Sequence, residues 1–178
     1  MDAIHFVERE APAYDEQAVL AAKQKKAMPQ GGCPGQRLRT MQPRPSAPAE
    51  HAAEASSQLM QWPCQIKLVP VNAPYFDGAK LLIAADCTAY AYARMHERFM
   101  RGRVTLIGCP KLDGVDYAQK LTEIFRTNNI QSVTVVRMEV PCCGGLEHAA
   151  RTALQASGKF VPWKVVTISV DGKILEET

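Results

Sequence analysis

Lys80-Leu81-Leu82-Ile83-Ala84-Ala85-Asp86-Cys87 is the stretch that decides the fold. Five apolar residues follow Lys80 without polar alternation. A strand with one wetted face alternates, so an unbroken run of this length suits a strand covered on both faces, as in a parallel sheet between helices. The run stops at Asp86-Cys87, and residues 88–100 are rich in Ala, Tyr, Arg and Met, a helical composition.

The same strand–turn–helix unit repeats downstream. Arg103-Val104-Thr105-Leu106-Ile107 reads as a strand, and Asp113 as the N-cap of a helix with Tyr117, Leu121, Ile124 and Phe125 at helical spacing. Asn128-Asn129 ends that helix. Ser132-Val133-Thr134-Val135-Val136 is the next strand, followed by a helix over 145–157 that Gly158 closes. Val165–Val170 and Lys173-Ile174-Leu175 flank Asp171-Gly172, a hairpin signal. Upstream, Gln65-Ile66-Lys67-Leu68-Val69 reads as a first strand. The order is β-β-α-β-α-β-α-β-β, and helix-length crossovers imply parallel pairing. The expected fold class is α/β: a small, mostly parallel, three-layer sheet of Rossmann-like type with a C-terminal β-hairpin, preceded by a helical N-terminal segment and a linker.

Three regions follow from composition. Residues 1–30 hold a strand-like run, Ile4-His5-Phe6-Val7, and a helix capped by Asp15. Residues 31–61 begin Gly31-Gly32-Cys33-Pro34-Gly35 and continue Pro- and Ala-rich, a Cys-containing loop and a semi-extended linker. Residues 62–178 form the α/β domain. The 178 residues carry 21 Lys plus Arg against 18 Asp plus Glu. A net charge of +3 gives no support to nucleic-acid binding. No run is long and apolar enough for a membrane span, and no export signal is visible, so a cytoplasmic chain is expected. In a reducing compartment six cysteines do not suggest a disulfide scaffold.

The cysteines fall at telling places. Cys87, Cys109 and the pair Cys142-Cys143 each follow a predicted strand. In a parallel sheet all such turns lie beyond the carboxyl ends of the strands, where open α/β sheets bind ligands. Helices starting there present N–H groups and partial positive charge, which favours thiolates and an anionic cluster. Four cysteines are the usual ligand set of a cubane iron–sulfur cluster. Cys87 and Cys109 supply two, and the others come from Cys142, Cys143 or Cys33. Neighbours in extended chain point opposite ways, so Cys142 and Cys143 share one site only if a tight turn aims both there. Cys64 precedes the first predicted strand and is assigned to the opposite edge, outside the set.

Each cysteine alone is as readily a packing residue as a ligand; the argument rests on three turns at one edge. Asp86 is expected to cap the following helix. His148 is expected at the surface, and Tyr90, Tyr92, Met95 and Phe99 in helix packing. No GxGxxG, P-loop or CxxC motif occurs, which removes support for nucleotide binding and thioredoxin-type chemistry. Zinc suits four thiolates equally, so a zinc-binding interaction domain is an alternative. A thiol-based redox enzyme with Cys142 or Cys143 as nucleophile is another.

Gln61-Trp62-Pro63, Asn72-Ala73-Pro74-Tyr75-Phe76, Ala84-Ala85-Asp86-Cys87, Ile107-Gly108-Cys109-Pro110-Lys111-Leu112-Asp113 and Arg137-Met138-Glu139-Val140-Pro141-Cys142-Cys143-Gly144-Gly145 together resemble the C-terminal part of ferredoxin-type 4Fe-4S binding proteins of anaerobes. The resemblance covers 60–178 closely and the Cys33 loop more loosely. It implies an electron-transfer protein with a 4Fe-4S cluster on Cys33, Cys87, Cys109, Cys142 and Cys143, serving a redox partner protein or ferredoxin domain. Such proteins carry an N-terminal dicluster ferredoxin segment that is missing here, and Met1–Phe6 looks like the residues that follow it.

Overall fold

A computed structural model describes residues 56–178. The chain divides after Gly32, and the described residues all belong to the second unit, Cys33–Thr178. The predicted strand at Ile4–Val7, the helix after Asp15, Cys33 and most of the 31–61 linker lie outside the described residues.

Five strands make one sheet in the order β2-β1-β3-β4-β5. Strands β1 (Lys80–Ala85), β2 (Val104–Gly108), β3 (Ser132–Met138) and β4 (Trp163–Ile168) run parallel, and β5 (Ile174–Glu177) closes antiparallel to β4. Four helices connect them: α1 (Thr88–Ala91), α2 (Pro110–Asp113), α3 (Tyr117–Thr127) and α4 (Gly144–Ser157). The α/β class read from the apolar runs is the class observed.

Strand order fixes the layers. The crossover from β1 to β2 runs one way along the sheet, while those from β2 to β3 and β3 to β4 run the other way. Right-handed crossovers therefore put α3 and α4 on one face and α1 on the other. The helices α3 and α4 pack along each other. Leu81, Ile83, Val104, Leu106, Val133, Val135 and Val165 are buried, and strand alternation puts them on the face carrying α3 and α4. Leu121, Ile124, Phe125, Leu146, Ala150 and Ala153 meet them from the helices. Each large apolar side chain buried this way contributes roughly 1.5–3 kcal/mol. An ion pair from Glu147 to Arg137 at 2.9 Å ties α4 to β3, and Glu147 also pairs with Arg151 one turn along α4.

Several expectations are corrected. Residues 65–69 form no strand: Gln65 makes an isolated parallel bridge to Ile107, and the amides of Leu68 and Val69 then bond back to Gln65. Ile66 and Val69, three apart, are both buried, which is turn spacing and not the alternation of a strand. Nearby, the Gln61 side chain pairs with the Thr105 backbone and covers the β2 edge. The helix over 88–100 breaks at Tyr92 into α1 and a π-helical turn, His96–Met100. Met95 and Phe99 are buried there, with Tyr92 edge-on to Phe99 at 5.3 Å, but Tyr90 is 93% exposed. Asp116, not Asp113, caps α3 by accepting from the Ala118 amide at 2.8 Å. Gly114 interrupts the chain between them in a left-handed conformation, so Asp113 ends α2.

The hairpin forms where expected, with a three-residue loop over Val170-Asp171-Gly172. The Ser169 amide donates to the Lys173 carbonyl at 2.8 Å. Gly172 has φ 78°, and a Cβ there would run into the Ala91 carbonyl oxygen, so the hairpin seats directly under α1. Gly102 has φ 68° with open space around it. In urea denaturation Gly102→Ala should cost about 1 kcal/mol, the left-handed penalty alone. Gly172→Ala should cost about 3 kcal/mol, because overpacking adds to that penalty.

Candidate cofactor site

The parallel register brings the strand ends level. Ala85 pairs with Gly108 across β1 and β2, and Ala84 with Val136 across β1 and β3. Strand β1 thus ends between its two neighbours, and Cys87 lies between the turns that carry Cys109 and Cys142-Cys143. The direction of chain reverses here as well, since β1 connects toward β2 while β3 connects toward β4. Such a switch point opens a crevice at the strand ends.

The outer two turns lean over the middle one. Strands two apart are separated by about 10 Å. Even so, a Cβ on Gly145 would stand 3.2 Å from Pro110 Cβ, so the turn after β3 abuts the turn after β2. A side chain at 145 would hold them apart. The Asp86 amide donates to the Gly108 carbonyl at 3.2 Å and extends the ladder one residue past β1.

Cys142 and Cys143 lie in a 3₁₀ turn, Pro141–Cys143. Successive side chains in such a turn are about 120° apart instead of the 180° of a strand. The Cys143 amide donates to the Val140 carbonyl at 3.1 Å and closes the turn. Cys143 is buried and Cys142 half-buried, and the two thiols interact electrostatically. Cys109 is half-buried and Cys87 exposed.

The thiols sense one another. Burial, then Cys109, Asp86 and Cys142, push the Cys87 thiol up. Burial pushes Cys143 up to about 11, against the partial opposition of a backbone hydrogen bond at Met138; Cys142 and Cys87 add to the rise. Four thiols from three turns therefore share one electrostatic neighbourhood. Among the described residues, no three His, Cys, Asp or Glu side chains converge closely enough to hold a single metal ion.

Neighbouring residues complete the edge. Asp86 does not cap α1: the N-cap position is Cys87, and no side chain caps it. Its Oδ1 is buried without a hydrogen-bond partner, and burial and then Asp113 raise its carboxyl above the usual range. Tyr117 fills the space beneath Cys109 and Asp113, a role its helical spacing concealed. His148 is exposed on α4, and Lys111 on α2. Cys64 is not at the opposite edge. Its carbonyl accepts from the Ile107 amide at 2.9 Å, which sets it beside the carboxyl half of β2, about three residues short of Cys109. The bridge at Gln65 comes late along β2, which the strand reading of 65–69 did not anticipate.

A family model for a Rossmann-like domain matches residues 73–178, and the chain belongs to that family. A relative from Archaeoglobus fulgidus, described as an uncharacterized protein, is 31% identical over 117 residues, which span 66% of this chain and 83% of the relative. No solved structure matches the chain. Among the described residues no helix is long and apolar enough to cross a membrane.

The raised Cys143 thiol couples stability to pH in the metal-free chain. Its folded value of about 11 lies above the ordinary 9.0. Between these values the unfolded chain binds fewer protons, so stability falls as pH rises. The contribution is fully present below pH 9.0 and lost through about 11. Urea denaturation across this window should show a decline of up to ~1.4 kcal/mol per pH unit beyond that of Cys143→Ala. Parallel curves for the two proteins would contradict it.

Proposed function

We propose that this member of the Rossmann-like domain family binds one iron–sulfur cluster, of 4Fe-4S type, and serves as an electron-transfer module. The observation that carries the reading is the gathering of Cys87, Cys109, Cys142 and Cys143 from three adjoining turns at the switch point of the sheet.

The donor set fits a cluster in kind and number. It consists of four sulfurs from separate turns, the thiolate complement of a cubane. That no three donors converge on one point counts against a preformed single-ion zinc site. A cluster bound there would supply one-electron chemistry.

The chain's own residues define the rest. The Cys142-Cys143 turn opens α4, so the N–H groups and positive end of a 14-residue helix face the sulfurs and favour their ionised form. Gly144 and Gly145 keep that approach free of side chains. Cys143 and Cys109 form the protected side, and exposed Cys87 the open one. Tyr90 and Leu112, 93% and 81% exposed, follow Cys87 and Cys109 by three residues each and offer apolar area to a redox partner protein or ferredoxin domain. The raised Cys87 and Cys143 thiols argue against a nucleophilic cysteine in the metal-free chain. Cys33, the fifth candidate, lies outside the described residues. Its replacement tests whether it contributes.

After anaerobic reconstitution, the full chain should hold roughly four iron and four acid-labile sulfide, with a broad visible band bleached by dithionite. Cys87→Ser and Cys109→Ser should each lose most of the iron. Full iron content in both variants would overturn the ligand assignment, and a colourless protein holding zinc would replace the reading with the single-ion one.

A further inference from the structure

Tyr117 has no place in the ligand set, yet three parts of the Cys109 turn meet at its hydroxyl. The residue is 2% exposed. Its ring rests on Gly108, where a Cβ would stand 2.6 Å from the hydroxyl oxygen and 2.8 Å from Cζ. Gly108 therefore admits a phenol that any larger residue would displace. The hydroxyl donates to the Asp113 carboxylate. Lys67 stands 4.0 Å from Asp113 Oδ1 and holds the carboxylate from the far side. Burial and the bond to Asp113 raise the phenol well above its ordinary value, so it remains a donor across the physiological range. The Cys109 backbone N–H lies close enough to the same oxygen to oppose part of that rise.

Ring and hydroxyl together thus tie the residue before Cys109 to the end of α2. A short helix of four residues has little stability of its own. The clamp supplies order that α2 lacks.

We propose that Tyr117 is a positioning residue for Cys109: with Gly108 and Asp113 it holds the Cys109 turn beside Cys87. The purpose of this clamp rests on the cluster reading above. The clamp itself concerns this chain alone and is tested without metal.

Tyr117→Phe removes the oxygen and keeps the ring. In the metal-free full chain, alkylation of each cysteine by iodoacetamide can be followed by peptide mass spectrometry. Cys109 should react roughly fivefold faster in the variant, the factor that loss of one net hydrogen bond gives, while Cys87 and Cys142 keep their wild-type rates. An unchanged Cys109 rate overturns the proposal. So does a parallel rise at all three thiols, which marks general loosening. Tyr75→Phe is the control, since the Tyr75 hydroxyl is buried without a partner; a Cys109 rise there equal to that of Tyr117→Phe also overturns it. A wild-type chain that takes up no iron refutes the cluster reading, and the alkylation rates then decide the clamp by themselves.

Discussion

The parallel pairing of β1 with a neighbour on each side is the constraint on which the rest depends. It makes three strands end at one level and sends three turns out together. Because β1 is the middle strand but comes first in the chain, its crossover and that from β3 leave in opposite directions. Nothing bridges the gap between them directly, and the turn carrying Cys87 sits in it. The contact of Gly145 with Pro110 then narrows the opening from both flanks. A sheet in simple sequential order would put the same turns in a row with no such closure.

Electrostatics at this edge pull in two directions. The start of α4 favours negative charge, while burial and mutual repulsion among the thiols and Asp86 oppose it. In the metal-free chain the second effect wins, and the Cys87 and Cys143 protons are held more tightly than in water. A bound cation reverses the balance, because it stabilises each thiolate that touches it. Loading of the proposed kind would therefore release protons, and an arrangement costly to ionise when empty would become favourable when filled. The buried Asp86 oxygen belongs to the same balance, since its desolvation adds to the cost of further negative charge nearby.

Legibility in the sequence followed the range of the interactions. The unbroken apolar run at Leu81–Ala85 signalled a sheet covered on both faces, because two-sided burial removes alternation residue by residue. From those strands the common edge of Cys87, Cys109 and Cys142-Cys143 followed by topology alone. Residues 65–69 misled because β-rich composition says little about pairing in a short segment. There the three-residue spacing of Ile66 and Val69, followed by Pro70, carried the turn. Asp113 and Asp116 were equivalent as caps by residue type, and the left-handed Gly114 between them decided the outcome. Tyr117 was read as a core position of its helix, which it is. Its second role depends on Gly108, nine residues earlier, and no period links the two.

The 3₁₀ turn at Pro141–Cys143 bears on why the vicinal cysteines can act together. In an extended chain they would face opposite sides of the sheet, and one would be lost to the core. Pro141 fixes the backbone dihedral at the first position, and the bond from the Cys143 amide to Val140 tightens the next two residues. The rotation between successive side chains falls to about 120°. Cys143 then lies on the inner wall and Cys142 on the rim, the two thiols still sensing each other's charge. The pair thus offers two sulfurs from one turn at two depths, while Cys109 and Cys87 offer one each from the flanking turns.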